Sequence, residues 1–214
     1  MSTKVAACAD YNKGIAAAPP YNVCVRIIAG ELKGREVRLP RGSPVRPATG
    51  LVREQVMNLL TAPRLKAGKF LDLCAGSGLI GFEALSRGAP AVIFVEADKA
   101  TARNISETAR TLGVSDRITV IKRDARRCFA AVRKRLDPGE RIAAAILDPP
   151  YIPGMAEEIL LSLGAAADIY VKDALIVVRT PEELPAAVDG LAFDSRRGAG
   201  NASLWLYRPQ AGWR

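Results

Sequence analysis

Phe70-Leu71-Asp72-Leu73-Cys74-Ala75-Gly76-Ser77-Gly78-Leu79-Ile80-Gly81 is the stretch whose reading decides the fold. It runs from an apolar strand through a glycine-rich bend into an apolar helix. Glycine lets a backbone come close to a ligand and adopt positive φ. The helix start that follows offers free N–H groups and a partial positive charge, which suits a phosphate or a carboxylate. Gly76, Gly78 and Gly81 fit G-x-G-x-x-G, and Glu96 stands about 20 residues on, where a dinucleotide site keeps an acid for a ribose hydroxyl. A methyl-donor cofactor asks for the same acid at the same place, and a purely structural strand–turn–helix is a third reading. Asp72 tips the balance. A carboxylate late in the strand can grip an ammonium group, which S-adenosyl-L-methionine has and NAD lacks.

Outward from this loop the chain alternates. Apolar runs at Lys69–Cys74, Ala91–Glu96, Ile118–Lys122, Ile142–Leu147 and Ala174–Arg179 read as strands. Helices are predicted between them at Leu79–Arg87, Lys99–Leu112, Ala125–Arg135 and Met155–Leu163. Strands apolar on both faces and separated by helices make a parallel sheet covered on both sides. Leu191–Arg197 and Ala202–Arg208 flank Gly198-Ala199-Gly200-Asn201, a tight connection that predicts an antiparallel pair. Upstream, Val25–Ala29 and Glu36–Leu39 read as short strands, and Val52, Val56, Leu59 and Leu60 mark a helix from near Thr49. Residues 1–24, Ala-rich with Pro19-Pro20, show no period and read as a flexible extension.

After the fourth strand of the alternation stands Asp148-Pro149-Pro150-Tyr151. Open α/β sheets bind ligands at the carboxyl ends of their strands. The prolines fix the backbone and remove two N–H donors, so Asp148 and the Pro149 carbonyl can both accept from one NH2 group and aim its lone pair. Tyr151 offers a ring for a base to stack on. A rigid turn after a buried strand is the plainer reading. It is disfavoured because Asp72, the loop, Glu96, Asp124-Ala125 and this tetrapeptide come in order, each at a strand end.

The bulk figures narrow the class. The chain has 214 residues, 49% apolar and 25% charged, enough for one domain with a modest extra element. No apolar run approaches the ~20 residues that span a bilayer, and the opening residues do not read as a secretory signal, so a cytoplasmic protein is expected. There is no His, and the four cysteines form no close pair, so no metal is expected. Any general base must then be a carboxylate, Lys, Tyr or Cys. Residues 1–69 hold 12 Lys and Arg against 4 Asp and Glu, whereas residues 70–214 hold 19 against 18. A basic front on a near-neutral body is the footprint of a polyanion binder. The second basic run, Lys122–Arg135, points its charges several ways and reads as a solvated face.

At this point the sequence resembles a known group. The tetrapeptide with the D-x-x-A-G-S-G loop resembles the amino-methylating S-adenosylmethionine-dependent enzymes. More narrowly, Val25-Arg26-Ile27-Ile28-Ala29-Gly30, Gly34-Arg35, Arg46-Pro47-Ala48-Thr49, Val52-Arg53-Glu54, the loop, Glu83–Ala89 and Asp148–Tyr151 resemble the RsmD family, bacterial enzymes that methylate N2 of a guanine in 16S rRNA. The likeness covers Val25 to Arg208. It implies a Rossmann-like class I methyltransferase domain over 67–214, with a seven-stranded mixed α/β sheet ending in an antiparallel hairpin. A small basic hairpin-and-helix element over 25–66 precedes it. The resemblance implies that Asp72, Ala75, Gly76, Ser77, Gly78, Glu96, Asp124 and Ala125 hold S-adenosyl-L-methionine. Asp148, Pro149, Pro150 and Tyr151 would hold the acceptor. Arg26, Lys33, Arg35, Arg38, Arg41, Arg46, Thr49 and Arg53 would contact RNA, in 16S rRNA or a small-subunit assembly intermediate, with the enzyme a monomer.

Departures from the family pattern are Gly50 and Arg179, where Asp and Glu are usual, and the N-terminal extension. The rivals are a DNA adenine-N6 or protein-glutamine methyltransferase and, in another class, an NAD-binding oxidoreductase. The first would need a larger target-recognition segment, the second favours Asn at the position of Asp148, and the third lacks a His or Tyr-Lys pair for its proton.

Overall fold

The computed structural model describes residues 24–39 and 49–210. Strands β1 (Cys24–Arg26) and β2 (Glu36–Arg38) form an antiparallel hairpin, followed by helices α1 (Gly50–Leu60) and α2 (Ala62–Lys66). The alternation then runs β3 (Lys69–Leu73), α3 (Leu79–Ser86), β4 (Val92–Glu96), α4 (Lys99–Leu112), β5 (Ile118–Lys122), α5 (Phe129–Arg133), β6 (Ile142–Leu147), α6 (Met155–Gly164) and β7 (Tyr170–Thr180). Strands β8 (Ala187–Val188), β9 (Leu191–Ala199) and β10 (Ala202–Pro209) end it. No helix among the described residues is long and apolar enough to cross a membrane.

The large sheet has the order β5-β4-β3-β6-β7-β10-β9-β8, parallel through the first five strands and antiparallel through the rest. Alternation along each strand feeds two cores. Phe70, Phe94 and Ile146 face the layer of α1, α3 and α4, while Leu71, Val95 and Leu147 face α5 and α6. The chain steps outward from β3 to β5 and then returns to lay β6 on the other side of β3. That reversal puts the switch point at the carboxyl ends of β3 and β6, the place where sheets of this kind take ligands.

Two expectations change in detail. The sheet has eight strands rather than seven, because Ala187-Val188 pairs with Leu191-Ala192 around Gly190. The helix expected over Ala125–Arg135 is split into a 3-10 turn at Ala125–Arg127 and the short α5. The break falls at Cys128, which ends the 3-10 turn and stands before α5. Asp124 caps the 3-10 turn, its Oδ1 accepting from the Arg126 N–H at 2.9 Å.

The basic hairpin and α1 share the core of the sheet domain: Ile27 and Val37 of the first and Val52 and Val56 of the second are buried with Phe82 and Leu85 of α3. The hairpin turn sits on the end of α3, where Glu31 N–H donates to Ser86 O (2.8 Å) and Leu32 N–H to Ser86 Oγ (2.9 Å). Gly30 makes this approach possible. It holds φ +89°, and a Cβ there would lie 1.8 Å from the Ser86 carbonyl oxygen.

Candidate functional site

The loop after β3 turns sharply before α3 begins. Cys74 has φ +58°, a left-handed conformation that non-glycine residues rarely adopt, and strain of this kind gathers at functional sites. Gly76 (φ +54°) and Gly78 (φ +76°) complete the bend. Gly81 serves packing: a Cβ there would sit 2.2 Å from the Phe94 ring, so only glycine lets α3 lie this close to β4. Asp72 is buried at the end of β3, and its Oδ2 accepts from the Gly81 N–H at 2.9 Å. Glu96 ends β4 with both oxygens engaged, Oε2 accepting from Gly76 N–H (2.8 Å) and Oε1 from Asp98 N–H (2.9 Å). Ala75 and Ser77 lie in the same bend, with Ser77 buried. Asp124, just past β5, shares its carboxylate with Arg126 at 2.6 Å, and Ala125 is buried beside it.

Asp148 follows β6 directly, its N–H reaching Leu73 O of β3 at 3.5 Å. Pro149 is buried, whereas Pro150 and Tyr151 are exposed, Tyr151 by 51%. Sequence reasoning missed the partner of Asp148. Leu147 pairs with Val178 across β6 and β7, so Arg179 comes opposite Asp148 and its Nη1 lies 3.0 Å from Oδ1. The available signal was an Arg at the end of an otherwise apolar strand, which the sequence registers as a departure and not as a site residue.

The electrostatics of the switch point favour a cationic ligand. Burial pushes the Asp72 carboxyl well above the usual aspartate range, and the charges of Asp148 and Glu96 push it further. Burial likewise raises Asp148, with Arg179 pulling it back. Cys74 feels Glu96, Asp72, Asp148 and Asp124 together, so four carboxylates converge on this bend. An incoming pyrophosphate would meet repulsion here, and an ammonium or sulfonium would relieve it.

A test follows from the sign of the Asp72 shift. A raised pKa means the folded protein holds the proton more tightly than the unfolded chain, so stability falls as pH rises from the ordinary 3.8 through the raised value. Asp72→Asn keeps the acceptor for Gly81 and removes the charge. Without cofactor it should melt higher than wild type at neutral pH, and the gap should close on acidification. A gap independent of pH would contradict the assignment.

The expected RNA contacts are distributed unevenly. Arg26 and Arg38 are exposed, with Arg26 3.5 Å from Glu36 and the Arg38 carbonyl accepting from Asn104 in the first half of α4. Lys33 and Arg35 are exposed towards the other end, where Arg35 Nη2 donates to Thr111 O and Glu31 pairs with Arg117. Arg117 immediately precedes β5, so this end of the hairpin flanks the amino ends of the strands, away from Asp148. Thr49 caps α1, its Oγ1 accepting from Val52 N–H at 3.4 Å. Arg41 and Arg46 lie outside the described residues. Arg53 is a correction. It is buried, and its Nη1 donates to Glu83 Oε1 (2.7 Å) and Arg26 O (3.1 Å), so it fastens the hairpin to α3 and has no free face for phosphate.

A doubly wound sheet ending in an antiparallel hairpin, with acids and a glycine bend at the reversal of strand order, defines the Rossmann-like methyltransferase class. A family model described as "Conserved hypothetical protein 95" matches residues 25–208. The ribosomal RNA small subunit methyltransferase D of Escherichia coli (strain K12) is 32% identical over 192 residues, covering 87% of this chain and 91% of that protein. Its namesake from Haemophilus influenzae is 34% identical over 161 residues, covering 75% and 81%. Among solved structures, yhhF, a candidate methyltransferase from Escherichia coli, superposes with a TM-score of 0.70 at 30% identity, covering 88% of this chain and 99% of that one. The chain belongs to this family, the RsmD family.

Proposed function

We propose that this rRNA methyltransferase of the RsmD family transfers a methyl group from S-adenosyl-L-methionine to the exocyclic N2 of a guanine in 16S rRNA, as a cytoplasmic monomer needing no metal. The observation that carries the reading is Asp148, held at the end of β6 with its N–H on the Leu73 carbonyl (3.5 Å), between Asp72 of β3 and the glycine bend. The residues fit this cofactor, whose ammonium and sulfonium suit the converging carboxylates. When bound, it supplies an electrophilic methyl group on sulfur.

The chain's own residues do the rest by positioning. Asp72 takes the ammonium, the Gly76–Gly78 bend and the start of α3 take the carboxylate, Glu96 the ribose hydroxyls, and Asp124 the adenine amine. Asp148 and the Pro149 carbonyl accept from the guanine amine and point its lone pair at the methyl group. Tyr151 stacks on the base, which must leave its own stack to enter. Alignment of this kind supplies most of the rate, and no strong base is required, consistent with a chain that has no His. The exposed Arg26 and Arg38 contribute to holding phosphate.

Labelled methyl transfer to naked rRNA, small subunits, DNA and protein in parallel tests the reading, with mass spectrometry of the product nucleoside. N2-methylguanosine from one of the first two acceptors is expected; label in DNA or protein alone would overturn it. Glu96→Ala should weaken cofactor binding by about 1.5–3 kcal/mol, the worth of a charged hydrogen bond, as read by calorimetry. Unchanged affinity would remove Glu96 from the ribose role.

A further inference from the structure

Three groups converge where β6 and β7 end. The Asp148 carboxylate and the Arg179 guanidinium meet at 3.0 Å, and the guanidinium carbon lies 5.9 Å from the centre of the exposed Tyr151 ring. Both charged side chains are largely shielded, at 21% and 15% exposure. The Nε of Arg179 is buried and has no hydrogen-bond partner among the described residues. The guanidinium carries five N–H donors, and among the described residues only Nη1 is engaged, so Nη2 is left to donate to an acceptor brought in beside a ring able to take a base.

We infer that Arg179 and Asp148 act as one reader of the guanine Watson–Crick edge, Asp148 accepting from N1–H and N2–H and Arg179 donating to O6. The inference rests on the guanine-N2 reading above. The guanine edge presents an acceptor at O6 and donors at N1 and N2, in line. An ionised carboxylate has about four lone-pair sites; Arg179 Nη1 reaches both oxygens, at 3.0 and 3.5 Å, and the remaining sites suffice for both guanine donors. Adenine offers a donor where Arg179 also donates, and an acceptor where Asp148 also accepts, so it is rejected at two positions. Arg179 also pulls the Asp148 carboxyl down against the rise that burial imposes, which favours the ionised form that a reader of two donors uses. Arg179 is thus a specificity residue for the base, separate from the groups that hold the cofactor.

The test uses wild-type enzyme and small subunits to locate the methylated guanosine, then subunits rebuilt with 6-thioguanine at that nucleotide. This base keeps the N1 and N2 donors and replaces O6 by a weakly accepting sulfur. Wild type should prefer guanine in kcat/KM by about 10- to 100-fold, the discrimination of a good Arg–base pair. Arg179→Met should bring the ratio near one, with cofactor affinity retained as the folding control. Arg179→Lys, which keeps a charge and a single-point donor, should retain part of the preference and serves the same comparison if the Met variant does not fold. N2-methylguanosine formed with a ratio unchanged by these substitutions would overturn the inference alone. A product other than N2-methylguanosine from the wild type would overturn the guanine reading and this inference together.

Discussion

Asp148→Ala should lower methyl transfer by at least about 100-fold, the scale of loss when a reacting group is misplaced by an ångström or so, while cofactor affinity stays nearly unchanged. Asp148 follows β6, whereas Asp72, Glu96 and Asp124, the groups proposed to hold the cofactor, belong to β3, β4 and the turn after β5. Removing it deprives the acceptor amine of its anchor and leaves the glycine bend, with its Gly76–Glu96 and Gly81–Asp72 hydrogen bonds, in place. Asp148 also raises the Asp72 carboxyl, so its loss favours ionised Asp72, which offsets the removal of one of the converging carboxylates. Single-turnover transfer and calorimetry on the same preparation provide the check. Undiminished turnover alongside tight cofactor binding would take Asp148 out of the reaction.

The second large effect concerns stability. Glu83 is fully buried, and its Oε1 accepts from Arg53 Nη1 at 2.7 Å and from Ile28 N–H at 2.8 Å, while Arg87 lies 3.6 Å from Oε2. Arg53→Met strands most of that charge in the core, and breaking a buried pair on one side costs about 3–5 kcal/mol. Substituting both partners, as Arg53→Met with Glu83→Leu, should cost less, leaving chiefly the orphaned Ile28 N–H at about 1–3 kcal/mol. Denaturant unfolding of the single and double variants decides. A single variant of native stability but weakened RNA binding would restore Arg53 to the phosphate contacts.

How far the sequence carried the reading depended on whether a feature was local. The strands at Ile118–Lys122 and Ile142–Leu147 and the helix at Lys99–Leu112 have the bounds their apolar runs predict. β8 was invisible because two residues are too few to show a period. The role of Arg53 was readable and was overridden by its charge. Val52, Val56 and Leu60 share one stripe of α1, and Arg53 stands beside Val52 and one turn before Met57, so its face is the buried one. The Arg179–Asp148 pair was not readable. It depends on the parallel register of β6 and β7, two strands brought together only by the crossover through α6. The unequal placement of the basic residues was hidden for a similar reason, since net charge says nothing about which end of a hairpin lies near the switch point.

The reversal of strand order also divides inheritance within the molecule. Residues assigned to the methyl donor come from β3, β4 and the turn after β5, on one side of the switch point. Those assigned to the acceptor come from the ends of β6 and β7, on the other. The two sets meet along a single parallel seam, with Leu73 opposite Leu147. A lineage can therefore rewrite the ends of β6 and β7, trading one nucleophile for another, on strands that carry none of the residues assigned to the donor. Changes on the β3–β5 side enjoy no such freedom, because every acceptor depends on the same donor. Substrate range in a scaffold of this kind is free to drift on one flank of the sheet while the other stands still.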